Sequence, residues 1–99
     1  ARFTASDRLQ EVPVEASSEL VARLIADAAA QEAFLARLGG RAVAEDRTDG
    51  LRLRLDTGAI VHLRPSGNAP ELRFYAEAAS PEAAEALLAT GLKLLSEML

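Results

Sequence analysis

Leu51-Arg52-Leu53-Arg54-Leu55-Asp56-Thr57-Gly58-Ala59-Ile60-Val61-His62-Leu63 is the stretch whose pattern decides the fold. Leu51, Leu53 and Leu55 alternate with Arg52 and Arg54, which puts leucines on one face of a strand and arginines on the other. Thr57-Gly58 is a turn signal that sends the chain back through Ile60 to Leu63 as the second arm of an antiparallel hairpin. Upstream, Asp49-Gly50 signals another turn, and Ala42 to Asp46 reads as a further strand. Downstream of a loop from Pro65 to Pro70, Leu72, Phe74, Ala76 and Ala78 alternate with Arg73, Tyr75 and Glu77. The middle of the chain is therefore an antiparallel meander. One face carries Leu51, Leu53, Leu55, Val61, Leu63, Leu72, Phe74 and Ala76. The other carries Arg52, Arg54, Ile60, His62, Arg73, Tyr75 and Glu77. Two readings of this second face stand: a solvated side, common in antiparallel sheets, or a surface that meets another domain or lines a cleft.

Helices flank the meander. Ser80-Pro81-Glu82 supplies an N-cap, a proline at the first helical position and an acid in the first turn. The helix that follows should bury Ala84, Leu87, Leu88, Gly91, Leu92, Leu95 and Met98. On the amino-terminal side, Leu20, Val21, Leu24, Ile25 and Ala28 share a helical stripe that Leu35 and Leu38 extend, with Ser17 or Ser18 as N-cap and Gly39-Gly40 as the stop. The alanine-rich middle, Ala26 to Gln31, is weakly patterned, so this helix is either continuous or two helices with a bend near Gln31. Before it, a short strand is expected around Arg8 to Val12, ended by Pro13. The predicted fold is α+β: a single domain with an antiparallel four- to five-stranded sheet and two helices on one face, in the order β-α-β-β-β-β-α.

Ninety-nine residues, 49% hydrophobic and 26% charged, allow one small core. Without cysteine the chain has neither disulfides nor thiolate metal sites, which fits a reducing compartment; a cytoplasmic location is expected. No apolar run is long enough to span a bilayer, and Ala1 to Gln10 has no apolar signal segment, so no membrane partner is expected. The net charge of −4 opposes non-specific nucleic-acid binding. Ten of the 11 basic residues are arginine, the side chain suited to forked recognition of carboxylate or phosphate. His62 is the one histidine, so any histidine-dependent triad would have to use it. Its place in a strand beside Arg64 suits a partly exposed structural role, and Glu77, Glu82 and Glu85 read as solvated charges rather than metal ligands. Tyr75 is available to pack on a neighbouring domain.

The most specific segment is Leu63-Arg64-Pro65-Ser66-Gly67-Asn68-Ala69-Pro70-Glu71-Leu72-Arg73. Two prolines shape a loop that an arginine enters and another leaves. Glycine allows successive backbone N–H groups to converge on an anion, Ser66 and Asn68 add donors, and Arg64 can supply a charge-assisted fork. Residue types alone leave two readings: an oxyanion loop, or a tight hairpin connection built from ordinary turn residues.

Arg64-Pro65-Ser66-Gly67-Asn68-Ala69-Pro70, followed by Glu71-Leu72-Arg73-Phe74-Tyr75-Ala76-Glu77-Ala78, closely resembles the phosphate-binding segment in the carboxy-terminal domain of the α-D-phosphohexomutases, and is most similar to bacterial phosphomannomutases. Thr48-Asp49-Gly50-Leu51 is similar to the segment before the meander in that family, and Thr4-Ala5-Ser6-Asp7-Arg8 to the entry from the preceding domain. The resemblance implies that residues 1–99 are the carboxy-terminal domain of a four-domain enzyme with a TATA-binding-protein-like fold. It further implies an enzyme interconverting hexose 6-phosphate and hexose 1-phosphate through a hexose bisphosphate intermediate, with a phosphoserine and a magnesium-binding aspartate cluster in other domains. Carried over by position, Arg64, Ser66 and Arg73 match the family's phosphate contacts and Gly67 the backbone approach. Asn68 and Ala69 depart from the family's usual Thr-Glu. No catalytic residue and no cofactor site is implied within this chain, whose partners would be the hexose phosphate and the other three domains. Phosphoglucomutase and phosphoglucosamine mutase are alternative subfamilies, since the sugar-reading residues would lie elsewhere.

Two other classes share parts of this pattern. A double-stranded RNA-binding domain has a similar element order, but its last helix needs basic residues, whereas this one opens Ser80-Pro81-Glu82-Ala83-Ala84-Glu85. A small α+β regulatory or interaction module is the other alternative, and the arginine loop separates it from a substrate-binding domain.

Overall fold

In the computed structural model, which describes residues 2–99, five strands and three helices follow one another as β1 (Phe3–Gln10), α1 (Val14–Ala26), α2 (Ala28–Arg37), β2 (Ala42–Asp46), β3 (Leu51–Leu55), β4 (Ile60–Pro65), β5 (Glu71–Ala78) and α3 (Pro81–Met98). The strands form one fully antiparallel sheet in the order β1-β5-β4-β3-β2. β2 to β5 are the expected meander. β1 pairs with the last strand, so α1 and α2 carry the chain across the sheet from one edge to the other.

The period-two pattern settles which face is buried. Leu51, Leu53, Val61, Leu63, Leu72, Phe74 and Ala76 are fully shielded from solvent, and Leu55 nearly so. Leu20, Val21 and Leu24 of α1, Phe34 and Leu35 of α2, and Ala84, Leu88, Leu94 and Leu95 of α3 cover them. Gly91 lets α3 approach the sheet: a β-carbon there would sit 2.4 Å from Cε2 of the buried Phe74 ring. Leu94, outside the expected α3 stripe, is buried as well, while Leu87, Leu92 and Met98 are only partly so.

Three expectations need correction. The first strand runs Phe3–Gln10, not Arg8 to Val12. An edge strand with one buried residue, Ala5, carries little apolar signal, and the positive φ of Glu11 (59°) ends it before Val12. Val12 is nonetheless buried, its N–H donating to the Pro70 carbonyl at 2.9 Å. Secondly, α1 begins at Val14 behind Pro13, with no side-chain cap. Ser17 lies inside the helix, fully buried, with its Oγ donating to the Val14 carbonyl at 3.1 Å. Serine used in this way satisfies itself on its own helix instead of opening one.

Thirdly, the helical region breaks at Asp27 rather than near Gln31. Asp27 is extended (φ −105°, ψ 99°), and its carboxylate caps α2 by accepting the Ala30 N–H at 3.1 Å. Gln31 then staples the junction, its Nε2 donating to the Leu24 carbonyl at 3.0 Å and to Glu45 at 3.2 Å. Replacing Asp27 with alanine removes the cap at a cost of about 1 kcal/mol. Thermal unfolding should detect this as a fall in Tm of roughly 4–8 °C for a domain of this size, while Asp27→Asn, which keeps the acceptor, should lie close to the parent.

Candidate functional site

Strand register assembles the site. Arg64 in β4 is the direct cross-strand partner of Arg73 in β5, and Arg73 is the partner of Arg8 in β1. Three arginines thus stand in one row of the open face, at the end of the sheet where residues 66–70 join β4 to β5. Neighbouring strands lie about 4.8 Å apart. Like charges directly opposite one another weaken a sheet, so the row needs relief.

Two carboxylates provide it. Asp49 Oδ2 lies 2.9 Å from Arg64 Nε. The contact is ionic: the N–H is not aimed at the oxygen, and this buried Nε has no hydrogen-bond acceptor. Glu71 Oε2 accepts from Arg73 Nε at 2.8 Å, and its Oε1 lies 3.5 Å from Arg8 Nε. Glu71 is the best shielded of the five, its side chain 14% exposed. The Glu71 hydrogen bond, with a smaller contribution from the nearby Tyr75, raises the Arg73 pKa and holds its guanidinium charged still more firmly than usual. In each arginine it is Nε that faces the carboxylate. The terminal nitrogens of Arg8 and Arg73 remain for another anion. Arg64 Nη1 makes only a long contact of 3.4 Å to the Tyr75 hydroxyl, with its guanidinium carbon 5.9 Å from the Tyr75 ring centre.

The turn that carries Asp49 is itself anchored. His62 Nε2 sits 2.5 Å from the Asp49 carbonyl oxygen. A carbonyl only accepts, so Nε2 carries the proton, and His62 serves structure as expected. At the start of the turn Asp46 accepts the Thr48 N–H at 2.8 Å, which lowers its carboxyl pKa; Arg52 and His62 add to that shift.

Residues 66–70 are closed at their base, where the Ser66 N–H donates to the Glu71 carbonyl at 3.3 Å. Ser66 Oγ accepts the N–H groups of Asn68 (3.3 Å) and Ala69 (3.0 Å), which leaves its own hydroxyl proton for an outside acceptor. Gly67 and Asn68 are exposed at the tip. A β-carbon at Gly67 would meet nothing within 4 Å, and its φ is not left-handed. The fold therefore does not require glycine there. All five residues singled out from sequence, Arg64, Ser66, Gly67, Asn68 and Arg73, lie at this one end of the sheet.

Three residues had no assigned role in the sequence reading: Asp49, Glu71 and Arg8. Glu71 is legible in hindsight as a charge two residues before Arg73 on the same strand face. Arg8 is not, because its place depends on the β1–β5 pairing. A larger hollow, about 610 Å³, lies at the opposite end of the sheet, lined by Leu38, Ala59, Ala83 and Leu87 together with Thr57 and Arg2, whose Nη1 donates to the Gly58 carbonyl at 2.7 Å. Its walls are mostly apolar with one arginine, whereas an oxyanion needs several convergent donors, so chemistry rather than size favours the arginine row as the candidate site. Among the described residues no group of three or more His, Asp or Glu side chains could hold a metal ion. Among the described residues no helix is long and apolar enough to cross a membrane.

Comparison with known proteins shows the family. Residues 7–92 match the family model described as phosphoglucomutase/phosphomannomutase, C-terminal domain. A phosphomannomutase of Sinorhizobium fredii is 50% identical over 91 residues, covering 92% of this chain and 19% of the relative. A phosphomannomutase of Salmonella muenchen is 48% identical over 85 residues, covering 83% of this chain and 17% of the relative. A phosphoglucomutase/phosphomannomutase of Thermococcus kodakarensis is 43% identical over 54 residues, or 54% of this chain and 12% of the relative. The chain spans less than a fifth of the length of these curated relatives.

Proposed function

The chain belongs to the phosphoglucomutase/phosphomannomutase family as its C-terminal domain, and from that membership we propose that its arginine row and loop clamp the non-reacting phosphate of a hexose phosphate. The enzyme would be of the phosphomannomutase type, interconverting hexose 6-phosphate and hexose 1-phosphate. The observation that carries this reading is the direct opposition of Arg64 and Arg73 at the mouth of the Ser66 to Pro70 loop. Stability alone disfavours that pairing. A bound phosphate turns it into an advantage, because both forks then converge on one dianion.

Within this reading each residue has a part. Arg64 and Arg73 give charge-assisted donors, Ser66 its free hydroxyl proton, and Gly67 close approach of the backbone. Asn68 presents an amide donor where relatives in the family commonly carry threonine. The phosphoryl transfer is assigned to residues outside this chain, in the three domains that would complete the enzyme. Magnesium belongs there too: the described residues do not fit it, and no step here depends on it. A hydrogen bond to a charged group contributes roughly 1.5–3 kcal/mol, and millimolar affinity requires about −4 kcal/mol. A loop open to solvent reaches that only marginally, so the isolated domain binds sugar phosphates weakly and is inactive by itself. In the intact enzyme this remote contact positions the reacting end and favours closure of the cleft.

Gly67→Ala separates function from fold. With open space at the β-carbon and no left-handed φ, the change should leave stability within about 0.5 kcal/mol, or raise it slightly. The same methyl stands where the phosphate would approach, and the KM of the intact enzyme for hexose phosphate should rise roughly tenfold, the equivalent of about 1.4 kcal/mol. An unchanged KM would remove the loop from the binding site.

A further inference from the structure

We infer that Arg8 is a third phosphate-contacting arginine, placed by Glu71. This inference rests on the phosphate-clamp reading above and extends it to the first strand. Charge balance is the starting point. Arg64 and Arg73 face Asp49 and Glu71, two cations against two anions, so by themselves they present a dianion with no net attraction. Glu71 is shared: one carboxylate oxygen takes Arg73 Nε at 2.8 Å and the other lies 3.5 Å from Arg8 Nε. Arg8 adds a third cation to these two carboxylates, while the neighbouring Asp7 carboxylate accepts the Arg8 backbone N–H at 2.8 Å.

Geometry points the same way. Arg73 is the middle of the row, with Arg64 on one side and Arg8 on the other. A phosphate monoester dianion has three terminal oxygens, and a phosphate over Arg73 can offer one to each arginine. Arg8 meets Glu71 through Nε, the same mode as Arg73, and this leaves its two terminal nitrogens on the open side. A polar hollow of about 240 Å³ lies beside them, lined by Ser6, Asp7, Arg8, Arg73 and Tyr75. The Arg8 side chain is 50% exposed, so substitution there removes little packing.

The test uses the intact enzyme, with mannose 6-phosphate as substrate and inorganic phosphate as competing ligand. For Arg8→Ala, kcat/KM for the sugar phosphate should fall and the inhibition constant of inorganic phosphate should rise, each roughly tenfold, since the phosphate contact both binds the substrate and positions its reacting end. Arg8→Lys keeps the charge and loses the fork, and should fall in between. Arg64→Ala run in parallel separates the two levels. If Arg64→Ala weakens both ligands and Arg8→Ala changes neither by more than about twofold, Arg8 is not a contact, and the clamp reading stands without it. If neither variant weakens either ligand, the clamp reading falls and takes the Arg8 inference with it. Melting curves of the variants should coincide with the parent; an Arg8→Ala protein with a lowered Tm whose loss Arg8→Lys restores in full acts through the fold, which contradicts the inference.

Discussion

Arg64→Ala in the intact enzyme should lower kcat/KM for a hexose phosphate by roughly 10- to 150-fold, the span that corresponds to losing about 1.5–3 kcal/mol of charge-assisted hydrogen bonding. The same change should barely alter stability. Arg64 is 37% exposed on its side chain, its partner Asp49 is 63% exposed, and exposed ion pairs contribute little. Removing it also relieves the repulsion from Arg73 directly opposite. An equal or slightly raised Tm alongside a large loss of kcat/KM is the combined result expected of a residue kept for a ligand. Arg54→Ala, on the same sheet face but in a different cross-strand row beside Ile60, should leave kcat/KM within about twofold, because it lacks contact with the loop. If Arg64→Ala instead unfolds the domain, or if Arg54→Ala matches its loss of activity, general surface charge rather than a phosphate clamp explains the arginines.

Gly50→Ala should cause the largest loss of stability of any single methyl addition at the sheet's turns. Gly50 has a φ of +76°, which costs a residue with a β-carbon about 1–3 kcal/mol. The added carbon would also lie 2.1 Å from the Leu63 carbonyl oxygen. That oxygen is backbone within the β3–β4 pairing, so it yields only if the sheet shifts, at a further cost of about 1–3 kcal/mol. Together these should lower Tm by roughly 10 °C or more for a domain of this size. Gly58→Ala is the matched comparison: its φ is +90°, but nothing lies within 4 Å of where the added methyl would stand, so the strain appears without the collision. Calorimetry should place Gly58→Ala clearly nearer the parent. The Gly50 turn also carries Asp49 and holds His62, so what loosens the fold here loosens the partner of Arg64.

Alternation over Leu51 to Leu63 and Leu72 to Ala78 was enough to read the meander and its buried face. Physical redundancy explains this: each leucine of the pattern is shielded on one face, and a slip by one residue would expose them all. The amino-terminal third was less legible, because single local contacts shape it. Pro13 starts a helix with no side-chain cap, Ser17 turns inward, and Asp27 interrupts the stripe that continues through Leu35. The loop residues of the candidate site could be read because they are contiguous. Asp49 and Arg8 could not, since they meet the arginines only once the strands pair across the sheet, and Glu71, although two residues from Arg73 on the same strand, reaches Arg8 only through the β1–β5 pairing. A charge pattern shows its partners only once the register is known.

The central claim, that the Arg64 to Arg73 segment holds a phosphate, is most directly tested by titrating the isotope-labelled chain with mannose 6-phosphate and with inorganic phosphate while following backbone amides and arginine Nε–H signals by NMR. Millimolar binding by both ligands should shift Ser66, Gly67, Asn68 and the Arg64 and Arg73 side chains together, and Gly67→Ala should suppress those shifts. Saturable shifts confined to other regions, such as the apolar hollow by Leu38 and Ala83, with none at the arginine row, would contradict it.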